Sequence, residues 1–147
     1  MTIREQIVEE ARSWLGTPYH HMGKVKKVGV DCGQFLIAVF ENVGILKPGE
    51  ISPGYYSHDF HFHRDREWYL EYILSRCKLV EQPLPGDIAM FHFARLASHG
   101  AIVLENNIVI HSYVDMGVVL SRIDEAILLY KNGKSRLRGY WRPKGVD

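Results

Sequence analysis

A chain of 147 residues is enough for one ordinary domain, 1–147, and halving it would leave each part below the size at which a core forms comfortably. Hydrophobic residues at 46% and charged residues at 24% exclude a disordered tail, a collagenous repeat and a coiled coil. The 18 Lys and Arg against 17 Asp and Glu leave a net charge of +1, too balanced to attract nucleic acid or an anionic membrane, so any partner must be recognised by a local site.

Ile3, Ile7, Val8, Ala11, Trp14 and Leu15 recur at helical spacing, with Glu5, Glu9, Glu10 and Arg12 on the other side. This amphipathic helix stops at Gly16-Thr17-Pro18. From there to Val30, Gly16, Gly23, Gly29, Pro18 and the basic run Lys24-Val25-Lys26-Lys27 predict a long surface loop that leads to Asp31-Cys32. Phe35, Leu36, Val39, Phe40 and Val43 repeat with a period near 3.6 until Gly44, which sets Cys32 at the first turn of a buried helix. Pro- and Gly-rich residues 47–62, with Tyr55, Tyr56, Phe60 and Phe62, predict an irregular segment, followed by a short helix around Asp65 to Cys77.

After Pro85 the texture changes. Short runs rich in β-branched and aromatic residues, 87–91, 100–104, 108–111, 118–121 and 137–141, predict strands, with Glu105-Asn106-Asn107 as a hairpin turn. Ile123 to Tyr130 has helical propensity. Helices first and strands afterwards predict an α+β domain, helices packed on an antiparallel sheet. No apolar run approaches the ~20 residues of a membrane span. The start, Met1-Thr2-Ile3-Arg4-Glu5, lacks the layout of a secretory signal, so the expectation is a cytoplasmic product at synthesis. Cys32 and Cys77 lie in such different surroundings that both are read as thiols.

A helix N-terminus offers partial positive charge and unsatisfied N–H groups, which favour a thiolate and an oxyanion formed beside it. Cys32 has that address; the alternative is a small buried hydrophobe. A nucleophile needs a base, and the base needs a third group to fix its tautomer. His99 precedes the 100–104 run and His111 closes the strand after the hairpin, so antiparallel pairing brings the two imidazoles together across neighbouring strands. Half-buried polar residues at strand ends would be the plainer reading of each alone.

These residues resemble the NlpC-type cell-wall cysteine peptidases, compact papain-like thiol enzymes. The resemblance is carried by Trp14-Leu15-Gly16-Thr17-Pro18-Tyr19, by Asp31-Cys32 opening an apolar helix, and by three later blocks. These are Pro85-Gly86-Asp87-Ile88-Ala89-Met90-Phe91, Ser98-His99-Gly100-Ala101-Ile102-Val103 and Val109-Ile110-His111. It implies a Cys-His-His triad: Cys32 attacks a carbonyl, His99 is general base and then acid, and His111 orients His99. It also implies a peptidoglycan stem peptide as substrate, often cut after a γ-linked D-glutamyl residue, and no metal or organic cofactor. By position, Tyr19, Asp31 and Ser98 would line the subsite for the stem's amino end. Asp31 would suit an ammonium group, or act as an N-cap of the helix; the two roles are compatible.

The family commonly continues Asp-Cys with Ser-Gly, whereas this chain has Gly33-Gln34, a change that bears on substrate choice. The short form, with Gly16-Thr17-Pro18-Tyr19 and Gly29-Val30-Asp31-Cys32, is more like versions encoded by bacteriophages, which implies tail proteins as partners. Two rivals remain: a thiol acyltransferase or amidase on another acyl donor, and a catalytically inactive tail-structural or binding module. His58, Asp59, His61 and His63 supply imidazole and oxygen ligands, but the preferred expectation there is an aromatic wall beside the cleft rather than a metal site.

Overall fold

The computed structural model describes residues 1–51, 70–93 and 96–147, with residues 96–98 described by backbone alone. Helix α1 (Ile3–Arg12) begins with a capping box: the Glu5 amide donates to Thr2 Oγ1 and the Thr2 amide to the Glu5 carboxylate. It buries Ile7 and Ala11, and Trp14 just beyond meets the edge of Phe35 at 6.2 Å. Helix α2 (Cys32–Asn42) is buried continuously from Cys32 to Phe40, as expected of a helix apolar on every side. Between them the chain is more ordered than its glycines predict. Within the expected loop, β1 (Lys24–Val25) and β2 (Gly29–Val30) form a small antiparallel hairpin.

The remaining strands are β3 (Cys77–Val80), β4 (Ile88–Phe93), β5 (Leu96–Val103), β6 (Ile108–Tyr113), β7 (Gly117–Arg122) and β8 (Leu137–Pro143). They form one sheet in the order β3-β8-β4-β5-β6-β7, antiparallel throughout. This is the expected α+β class. Asn106 and Asn107 both take positive φ in the β5–β6 turn, the geometry that matches the twist of the flanking strands. Ile88, Met90, Ile102 and Ile110 join the α1–α2 core, while Ala89, Phe91, Ala101, Val103 and Val109 pack with Leu128 in a second cluster. Alternation along the strands produces this division.

Four local expectations change. Strand β3 was not anticipated, because its residues show no alternation of burial. Ile123 to Tyr130 holds only a 3-10 turn, Ala126–Leu128, since one buried leucine cannot sustain an amphipathic helix. His99 lies inside β5 rather than before it. The expected helix around Asp65 to Cys77 is helical over 70–75, its beginning lies outside the described residues, and Cys77 itself starts β3.

A buried carboxylate ties the fold's ends together. Asp87, fully buried before β4, accepts from Arg4 Nη1 (3.0 Å), Arg142 Nε (3.0 Å), Arg142 Nη2 (2.9 Å) and the Leu84 amide (2.8 Å). Burial alone would raise its pKa. The hydrogen bonds from Arg142, Leu84 and Arg4 outweigh that and hold the carboxyl below its usual range.

Candidate active site

Cys32 is fully buried at the first position of α2, and Asp31 is the N-cap. Asp31 Oδ1 accepts from the Gln34 amide at 2.8 Å, while Oδ2 accepts from the Met22 amide at 2.8 Å. One carboxylate thus starts the helix and holds the preceding loop, whose Met22 sits at φ 64°. The N-cap expectation for Asp31 is met in this geometry. Tyr19 is bridged in parallel fashion to Val30, with the Val30 amide donating to the Pro18 carbonyl at 3.0 Å. Tyr19 therefore lies beside the approach to Cys32.

The basic loop is braced inward. Lys24 pairs with Glu41 at 2.8 Å, Lys26 with Glu10 at 3.1 Å and with Ser13 Oγ, and Lys27 Nζ donates to the Leu15 carbonyl. On the other flank, Ser112 Oγ donates to the Val30 carbonyl at 2.7 Å, both groups being buried. The residue next to His111 thereby anchors the chain two residues before Cys32. Helix α2 also packs directly on β5 and β6, the strands that carry the two histidines.

Gly100 makes that contact close. A Cβ at this position would lie 2.7 Å from Leu36 Cδ1, and Leu36 stands one turn after Cys32 on the same helix face. His99 projects to the side of its cross-strand partner Phe91. Its ring meets Phe93 edge-on at 5.4 Å and Tyr113 at 5.6 Å, so aromatic walls fix its plane.

His99 Nε2 lies 2.7 Å from His111 Nδ1, and His111 Nε2 lies 2.8 Å from Ser121 Oγ. All three side chains are buried. Burial pushes the His111 imidazole down to about 4, so it is neutral at physiological pH and carries one ring proton for two contacts. Two proton arrangements satisfy the chain. In one, His99 donates to His111 and His111 donates to Ser121; in the other, every direction is reversed.

The structure brings His99 and His111 into direct contact, and Asp31 and Tyr19 to the start of α2. Ser98 lies in β5 and its side chain is outside the described residues. His58, Asp59, His61 and His63 are outside them too; among the described residues no group of three or more His, Cys, Asp or Glu could hold a metal ion. Sequence reading missed Ser121, Phe93 and Tyr113. A signal existed for Ser121, a lone polar residue closing the apolar run Val118-Val119-Leu120.

Residues 16–135 match the NlpC/P60 family. The chain belongs to the NlpC/P60 family. It is 23% identical over 124 residues to the murein DD-endopeptidase MepS/murein LD-carboxypeptidase of Escherichia coli strain K12, covering 84% of this chain and 56% of that protein. The chain thus spans about half the length of its curated relative. The NlpC/p60 domain of the peptidoglycan hydrolase SagA superposes with a TM-score of 0.58 at 24% identity, covering 82% of this chain and 89% of that one. RipD from Mycobacterium tuberculosis, described as a non-catalytic NlpC/p60 domain adapted to peptidoglycan binding, superposes with a TM-score of 0.59 at 13% identity and covers 98% of each chain. The NlpC/P60 fold therefore accommodates both hydrolytic and non-catalytic members. Among the described residues of this NlpC/P60 chain, no helix is long and apolar enough to cross a membrane.

Proposed function

We propose that this chain is a cysteine peptidase that hydrolyses an amide bond in the peptide stem of bacterial peptidoglycan. Cys32 Sγ attacks the carbonyl carbon, and the backbone N–H groups opening α2 stabilise the oxyanion. His99 takes the thiol proton and returns it to the leaving amine, after which water cleaves the thioester. His111 orients His99. Tyr19, Asp31 and Ser98 form the subsite for the stem's amino end, Asp31 by its charge. One observation carries this reading: a thiol opens α2, and α2 packs on the two strands that bear a hydrogen-bonded imidazole pair. Membership of a family that includes peptidoglycan hydrolases supports the substrate class. The finer placement, in a phage tail, rests on the short Gly16–Tyr19 and Gly29–Cys32 arrangement.

Incubation with purified muropeptides followed by mass spectrometry tests the proposal. The native protein should give a defined cut, and Cys32→Ala should fold yet lose turnover; full activity in that variant would refute the assignment. The likeness to RipD favours a second reading, a peptidoglycan-binding module without catalysis. Under it the Cys32 thiol alkylates with a pKa near the unperturbed ~8.5, rather than below it. Product analysis with an added amine separates hydrolysis from acyl transfer.

A further inference from the structure

We propose that Ser121 is a positioning residue: its hydroxyl accepts the Nε2 proton of His111 and so sets the tautomer of both histidines. This inference rests on the peptidase reading above, which needs His99 to accept a proton at the ring nitrogen facing away from His111.

The 2.7 Å contact between His99 Nε2 and His111 Nδ1 uses one proton. If His111 carried its proton on Nδ1, it would donate to His99 Nε2, and neutral His99 would hold its own proton on Nδ1. That ring has no free lone pair outside the pair and cannot act as a base. If His111 carries its proton on Nε2, its Nδ1 accepts from His99 Nε2–H, and His99 Nδ1 is left as a lone pair. A buried Nε2–H requires an acceptor, because an unpaired one is costly. Ser121 Oγ, 2.8 Å away and itself buried, supplies it. The β6–β7 register explains the placement: Ser121 stands opposite Val109 and Val119 opposite His111, so the hydroxyl reaches the imidazole diagonally along the same face.

The direct test is ¹⁵N NMR of the imidazoles in the native protein at about pH 8, above the ordinary imidazole range. His111 should be protonated on Nε2 and His99 on Nε2. Finding His111 on Nδ1 overturns the inference whether or not muropeptides are cut, while failure to cut with His111 on Nε2 counts against the peptidase reading alone.

Ser121→Thr and Ser121→Val add nearly the same volume and differ in hydroxyl against methyl, so a packing cost is common to both. Thr should retain the Nε2–H tautomer and kcat. Val should shift His111 toward Nδ1–H and lower kcat by roughly 10- to 100-fold with little change in KM. Equal losses in the two variants, or an unchanged tautomer in Val, would refute the role.

Discussion

Lowering the pH should loosen this protein well before its carboxylates are neutralised, and His111 is the reason. In the folded state its imidazole is fully buried and its pKa lies at about 4, against 6.5 when exposed. Because the folded pKa is the lower, the unfolded chain binds the proton first as pH falls. Stability is therefore complete above about pH 6.5, declines through the window down to about 4, and changes no further from this residue below it. At about 1.4 kcal/mol per pKa unit, the gap amounts to roughly 3 kcal/mol, a large part of the 5–15 kcal/mol typical of a domain. Urea unfolding at a series of pH values measures it. His111→Asn, which keeps hydrogen-bonding capacity without a titrating ring, should start less stable above pH 6.5 and lose less across the window, so the two curves converge. NMR titration of the His111 ring gives the pKa directly. Parallel stability curves, or a ring titrating near 6.5, would defeat this account.

Asp31 offers a graded test of the α2 start. Asp31→Ala removes acceptors from the Gln34 and Met22 amides and should cost about 2–4 kcal/mol. Asp31→Asn turns an amide donor toward one of those N–H groups and should fall in between; thermal unfolding that ranks Asn with the native protein would contradict the bonding described. Asp87→Asn leaves two arginines facing a buried neutral group and should lose about 3–5 kcal/mol. The native carboxylate, held below its usual range, contributes stability above about pH 3.9 that is lost as pH falls through its lower folded pKa, and denaturant curves of the variant should lack that last acid-sensitive step. Gly117 has φ 77°, and a Cβ there would lie 2.4 Å from the Thr17 carbonyl oxygen. Gly117→Ala should cost at least about 2 kcal/mol and speed alkylation of Cys32; an unaltered melting temperature and labelling rate would show that the contact is not tight.

The α2 start and the imidazole pair were legible because their signals are local. Apolar spacing from Phe35 to Val43 sets the helix, and Asn106-Asn107 sets the turn that aligns β5 with β6. The roles proposed for Cys32, His99 and His111 rest on chemistry added to that geometry. Ser121 was hidden because its contact depends on the β6–β7 register, a pairing across a separate turn at Asp115 to Gly117. Strand β3 was hidden because a short edge strand has little periodicity. The hairpin at 24–30 is the instructive omission. Three glycines read as looseness, yet the segment is fastened by lysine contacts, the Asp31 carboxylate and the Tyr19–Val30 bridge, none of which composition reveals.

The pairing of Gly16 and Thr17 with Val118 has a wider consequence. The Gly16 amide donates to the Val118 carbonyl and the Val118 amide to the Thr17 carbonyl, so the last strand of the sheet does not present those groups to solvent. Unsealed strand borders invite foreign chains to add on, and here the segment leading toward the thiol serves as the seal. Peeling it back would bare sticky backbone, so the course of the chain toward α2 and the protection of the sheet's edge rest on the same two hydrogen bonds.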